Sequence, residues 1–464
     1  MTLVNPPSAA LPAARMLQVD TVTRFLATVL LTLLLVSVVA FPSIWPGRVA
    51  PLYLIIVVAG GLVALTSQTM LTALLGVVQR VGAPILLPWL VFVFVSAQLT
   101  AYHGTFAETV GSAVFLNIAT LVLFVFSATL GVLVRPRTLV LILGVIALGE
   151  GLVALLQYLG FGWAWRLPVT MVGAFGGDPG DPYALAGVRS FEDVGRVRGT
   201  LLWVHKFNPM QGALAAILIT VLLLGRARSA QAAAIVPRVT PFLIVAALAA
   251  VMGMVLAFSR STIIGLALGV AFVLGREFRA RTMLFALLGL VFAIVAGLIL
   301  DLGEARQYGR LFNFAGSDLN NVVRYQQYAH ALETFAASPL IGQSAQQQSA
   351  DVIIFNLIHS VPLRILADFG LLGFVPYALV LFGIVRIFWA GAKVPEARGM
   401  ALIGLAVFIL LMVDSATHSS GFLKSDEVQS AIYGVLVGSV LAALPRHLRV
   451  RTIPHNPLSN FRFG

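Results

Sequence analysis

Twelve apolar stretches alternate with polar connections along this 464-residue chain. They fall near residues 25–41, 49–66, 83–100, 108–134, 138–160, 208–224, 239–257, 262–275, 282–300, 363–385, 399–414 and 428–444. A bilayer core about 30 Å thick takes roughly 20 apolar residues of helix to cross. Inside it, backbone N–H and C=O groups have no water to bond, and a helix satisfies them within its own segment. The pattern therefore predicts an all-α polytopic membrane protein of about 12 transmembrane helices, a single membrane domain over residues 1–464. Composition agrees: 59% of residues are hydrophobic, 10% are charged, and mean hydropathy is +0.97, whereas soluble domains are about half apolar and roughly a quarter charged.

Charge then orients the chain. Arg15 and Arg24 precede the first stretch, which at about 17 residues is long for a signal segment and just able to span. It is read as an uncleaved first span with the N-terminus inside. The inner connections and both termini then hold 18 of the 30 Lys and Arg residues, as the enrichment of cytoplasmic loops in basic residues requires. The net charge of +12 is thus mostly topology. No basic run with interleaved aromatics points to nucleic acid. With no cysteine in the chain, disulfides, thiolate metal sites and thiol nucleophiles are excluded.

Two long segments fall outside, 161–207 and 301–362. They carry Arg166, Arg189, Arg196, Arg198, Lys206, Arg306, Arg310 and Arg324, against the orientation rule. Guanidinium groups in excess on that face suit an anionic ligand such as phosphate or diphosphate. The first segment is rich in Gly and Pro and reads as an ordered loop, with Trp163 and Trp165 at the membrane interface. In the second, residues 318–337 show helical periodicity, with Ser317 or Asp318 as N-cap and Pro339 beyond the end. Arg324 and Tyr328 share one face of that helix; Tyr325, Ala329 and Leu332 form the adjacent one. His359 closes the segment at the mouth of the next span, a placement suited to acid–base work. Between spans seven and eight only Phe258-Ser259-Arg260-Ser261-Thr262 intervenes. The eighth stretch, about 14 residues, is short for a crossing, so Arg260 is expected to sit recessed against a polar cavity or an anion.

The pieces RVRGTLLWVHKFNPMQG, AFSRSTIIG, RYQQYAHALETFAASPLIGQ and IHSVPLRILADFGLLGF, in this order, resemble the O-antigen ligase and polymerase superfamily of bacterial inner-membrane enzymes. The resemblance implies a periplasmic site, cytoplasmic termini and a glycan donor carried on undecaprenyl diphosphate. For a ligase, the preferred reading, it implies lipid A–core as acceptor; for a polymerase, a growing glycan. It casts His359 as the general base, and Arg260, Arg324 and one of Arg198 and Arg196 as ligands of the diphosphate. Ser360 stands where the family has Asn, and Asp368 where Glu is common. No metal-ligand spacing occurs outside, so arginines rather than a divalent cation are expected to neutralise the leaving group. No cofactor is implied, and no carboxylate pair suggests a covalent glycosyl intermediate, so displacement should invert the anomeric centre. His205, His330 and His418 match no motif. A twelve-span transporter of the same lipid is the alternative from another class; its midplane site and short connections fit two long outer segments poorly.

Overall fold

The computed structural model describes residues 19–40, 52–102, 107–167, 197–201, 204–226, 235, 237, 239–257, 259–277, 319–343, 358–418 and 426–444. Every long regular element among them is a helix: α1 Thr21–Ala40, α2 Leu52–Thr66, α3 Gln68–Val81, α4 Leu87–Tyr102, α5 Ala107–Leu133, α6 Pro136–Tyr158, α7 Val204–Arg226, α8 Thr240–Leu256, α9 Arg260–Glu277, α10 Leu319–Ala337, α11 Val361–Gly391, α12 Pro395–Ser415 and α13 Glu427–Ala443. Among the described residues, seven segments are long and apolar enough to cross a membrane: Thr21–Val39, Gln68–Tyr102, Val114–Leu133, Pro136–Tyr158, Lys206–Arg226, Val361–Gly391 and Pro395–Ser415. Leu52–Thr66, Thr240–Leu256 and Glu427–Ala443 are apolar but shorter. The stretch 282–300, the ninth of the sequence reading, lies outside the described residues, as do 301–318 and 344–357.

Two spans differ from their sequence outline. Residues 68–81, expected as an inner connection, form α3. Ser67 caps it by accepting from the Met70 amide at 3.3 Å, and Met70, Ala73, Val77 and Val81 bury one face at helical spacing. A π turn over Gly82–Leu86, containing Pro84 with no amide to donate, carries α3 into α4 without a break. The other is α9, which continues to Glu277 and reaches 18 residues. The added residues include the charged Arg260, Arg276 and Glu277 at its ends, and α9 is not among the segments long and apolar enough to cross.

Small residues seat the helices. A methyl group on Gly265 would lie 2.8 Å from the Leu410 carbonyl oxygen, and one on Gly269 would lie 2.6 Å from that of Ala406. This glycine pair, four apart, lets the backbones of α9 and α12 touch, the way helices associate where lipid removes the hydrophobic drive. Gly434 and Gly438 do the same for α13 against Phe124 and Ala128 of α5.

The two ends of the bundle differ in chemistry. At one end Arg398 pairs with Glu277 at 2.5 Å, the Arg276 guanidinium lies 5.7 Å from the Trp389 ring centre, and Arg80 donates to the Leu441 carbonyl. The other end gathers the starts of α7, α9, α11 and α13 with the ends of α6, α8 and α12. Buried hydroxyl, amide and carboxylate groups concentrate there, beside the half-buried imidazoles of His359 and His418.

Candidate active site

His359 is the residue before the N-cap of α11. Ser360, in extended conformation, accepts from the Leu363 amide at 3.5 Å, and Pro362 suits the first turn because its missing amide would have no partner there. Helix α10 packs beside this start. Its Gln327 Oε1 lies 2.9 Å from His359 Nδ1, and Tyr328 donates its hydroxyl to the His359 carbonyl at 3.1 Å. Arg324, one turn earlier, acts on the same phenol: burial pushes Tyr328 up, and the neighbouring guanidinium partly opposes that. So the helix that carries Arg324 holds His359 through Tyr328 and Gln327. Gln327, Ala331 and Thr334 form its buried face. Tyr325 and Leu332, on the adjacent face, are exposed by 68% and 52%.

The chain between α10 and α11 returns to lock this pair of helices. Gln343 donates to the Ala367 carbonyl at 2.8 Å, Leu371 to Pro339 at 2.9 Å and Leu372 to Leu340 at 3.1 Å. Gly342 and Gly370 both have positive φ, 67° and 57°, where a side chain is strained. A methyl on either would also meet the opposing backbone within 2.7 Å. The glycines of SPLIGQ and DFGLLG thus serve one backbone-to-backbone crossing.

Arg260 opens α9. The hydroxyls on either side of it turn inward: Ser259 Oγ lies 2.9 Å from Thr262 Oγ1 and 3.2 Å from Ser261 Oγ. Thr262 and Ser261 donate to Asp414 Oδ1 of α12 at 2.7 and 3.1 Å. His418 Nδ1 stands 3.2 Å from the same oxygen. Nearby, Asn208 of α7 reaches the Ala257 carbonyl at 3.4 Å, joining the start of α7 to the turn before Arg260.

Arg198, expected as a diphosphate ligand, has a buried setting. Its side chain is 0% exposed. The backbone amide donates to Gln157 Oε1 at 2.9 Å, and the guanidinium to the Trp165 carbonyl at 3.1 Å. Glu150 of α6 takes the Thr200 amide at 2.9 Å and also the Thr200 hydroxyl. Trp165, read as an interfacial anchor, is buried and donates to the Gln157 carbonyl at 2.9 Å; Trp163 is exposed. Arg196 lies outside the described residues. A further charged group joins the starts of α7 and α13: Lys206 Nζ to Glu427 Oε2 at 2.9 Å, beside Asp426, whose side chain caps α13 through the Gln429 amide at 2.9 Å. Burial pushes the Asp426 carboxyl up to about 6 despite the attraction of Lys206.

Residues 244–378 match the family model described as O-antigen ligase. This match supports the O-antigen ligase superfamily for that segment. The matched stretch runs from α8 into the first half of α11 and so carries Arg260, Arg324 and His359. The superfamily assignment supports a glycan-transfer function of the ligase or polymerase type. Arg198, Asp414 and His418 lie outside the matched stretch. No curated protein matches the chain. Of the residues that motif reading passed over, Glu150 and Asp414 carried a signal of their own, a carboxylate within an apolar span. His418, set aside in the sequence, is four residues from Asp414 and on its face.

Proposed function

We propose that this protein is a metal-independent, inverting glycosyltransferase of the bacterial inner membrane. It moves a glycan from undecaprenyl diphosphate to an acceptor hydroxyl at the periplasmic face, most specifically O-antigen to lipid A–core. The observation that supports this reading is the contact of α10 with the start of α11: Gln327 and Tyr328 of the helix that carries Arg324 hold His359 at the end of the bundle where Arg260 also opens its helix. Transfer from a lipid diphosphate needs a proton acceptor and fixed positive charge. His359 accepts the proton of the acceptor hydroxyl as its oxygen bonds to the anomeric carbon. The bond from that carbon to the phosphate oxygen breaks, and the electron pair leaves on the diphosphate. Arg260 and Arg324 hold that charge, an electrostatic role that fixed guanidinium groups fill without reorganisation. The arginines are assigned this role because the guanidinium fork suits phosphate oxygens. Arg198, held by Gln157 and Trp165, and Arg196 both keep their candidacy as the further ligand.

A reconstituted assay tests the reading. Full-length protein in proteoliposomes, given a lipid-diphosphate glycan and lipid A–core, should transfer glycan with EDTA present. Arg260→Ala should lower transfer at least about a hundredfold, the scale on which removing one charge-stabilising donor acts. Elongation of the glycan with no transfer to lipid A–core would instead favour a polymerase. Translocation of the lipid with no transfer to any acceptor would favour a transporter and overturn the proposal.

A further inference from the structure

Among the buried carboxylates that the transfer step does not use, Asp414 meets three other side chains. It lies in the last turn of α12, within a membrane span, and is fully buried. A carboxylate in such a place is costly unless its hydrogen bonds are made. Its Oδ1 accepts from Thr262 at 2.7 Å and Ser261 at 3.1 Å, and His418 Nδ1 stands 3.2 Å away. Its Oδ2 is buried without a hydrogen-bond partner. His418 is fixed in turn, with Nδ1 also 3.2 Å from the Asp414 carbonyl and 3.3 Å from Ser261 Oγ.

These contacts are not needed to hold α9 on α12. The backbone approach at Gly265 and Gly269 already does that over the next two turns. What the carboxylate fixes is the first turn of α9 itself. Ser261 and Thr262 bond it directly and Ser259 bonds both of them, so residues on each side of Arg260 are tied to one oxygen. The negative charge also faces the positive end of the α9 dipole. We propose that Asp414, locked by His418, is a positioning residue for Arg260: it clamps the Ser259–Thr262 turn so that the guanidinium is aimed at the lipid diphosphate before the donor arrives. This rests on the reading of Arg260 as a diphosphate ligand.

The test is a mutant cycle on the full chain in proteoliposomes, measuring kcat and KM for the lipid-diphosphate donor together with the thermal midpoint. Asp414→Asn keeps the shape and removes the charge. It should lower kcat/KM about ten- to a hundredfold, the scale of a small misplacement of a binding group, with little change in midpoint. Combined with Arg260→Lys, it should cost no more than Arg260→Lys alone, since a clamp has nothing to add once the group it aims is lost. Losses that multiply, or an Asp414→Asn enzyme with wild-type kinetics, overturn the proposal. Should Asp414→Asn fail to insert, Thr262→Val removes one arm of the clamp and keeps the charge; the same non-additivity is expected, and multiplying losses refute it. Arg260→Lys alone separates the two layers. If that variant is fully active, the diphosphate reading falls and the clamp with it. If it is impaired while Asp414→Asn is not, only the clamp falls.

Discussion

His359 meets α10 through an amide oxygen, and that choice of partner sets its chemistry. An amide oxygen only accepts, so with Oε1 facing the ring Nδ1 is its donor, and in that tautomer the lone pair of the neutral ring sits on Nε2. A carboxylate in place of the amide would favour the imidazolium instead. Gln327→Glu should therefore shift the acidic limb of the pH–rate profile to higher pH, because protonation removes the base and the carboxylate makes protonation easier. An unshifted limb would show that the rate does not follow this ring. His359→Ala should cost on the order of 10²–10⁴ in the chemical step and leave donor binding intact. His359→Gln, which hydrogen-bonds without useful basicity, should match it. A Gln variant with most of the wild-type rate would make His359 a positioning group and put the base elsewhere.

At the scale of elements, the crossing of the chain before α11 over α11 itself does for the site what a disulfide does in a secreted fold. Gly370→Ala forces a side chain at φ 57° and sets its methyl 2.5 Å from the Leu340 backbone. It should cost about 1–3 kcal/mol from backbone strain and more from the clash, read as a lowered thermal midpoint in detergent. A midpoint equal to wild type would mean the crossing carries no stability. The sequence showed these glycines only as parts of a motif; the reason for them needs the partner strand of backbone, which is local to neither piece. Spans bounded by arginines were legible because charge marks where a helix leaves the apolar phase. The helix over Gln68–Val81 was not, because its apolar residues form a face rather than a run. The amphipathic helix carrying Arg324 was legible for the opposite reason, its period being plain against a polar background. Arginine content pointed to 196–198 as a binding element, but no local pattern says that Trp165 and Gln157 enclose Arg198. Asp414 was in view as a carboxylate at the end of a span, and went unread because its partners Ser261 and Thr262 lie some 150 positions away.

For the whole molecule, the partition of charge between the two ends is the property on which the direction of the reaction depends. Arg80, Arg276 and Arg398 reach one end through helices from three separated parts of the chain, and Lys393 lies in the connection between α11 and α12 at that same end. The helix α10 and His359 belong to the other. Basic residues are retained on the cytoplasmic side during insertion, so the end bearing His359 is expected to face the periplasm, the side on which the proposed transfer takes place. The absence of cysteine makes this directly measurable, since any introduced thiol is the sole one. Glu333 is exposed on α10, and Lys393 is exposed in its connection, so neither change disturbs packing. In intact cells whose outer membrane is permeable to a charged maleimide, Glu333→Cys should label at once. Lys393→Cys should label only after the inner membrane is opened. The reverse pattern would invert the bundle and leave a periplasmic transferase without its site, whereas equal labelling of both positions in sealed cells would remove the two-sided partition itself.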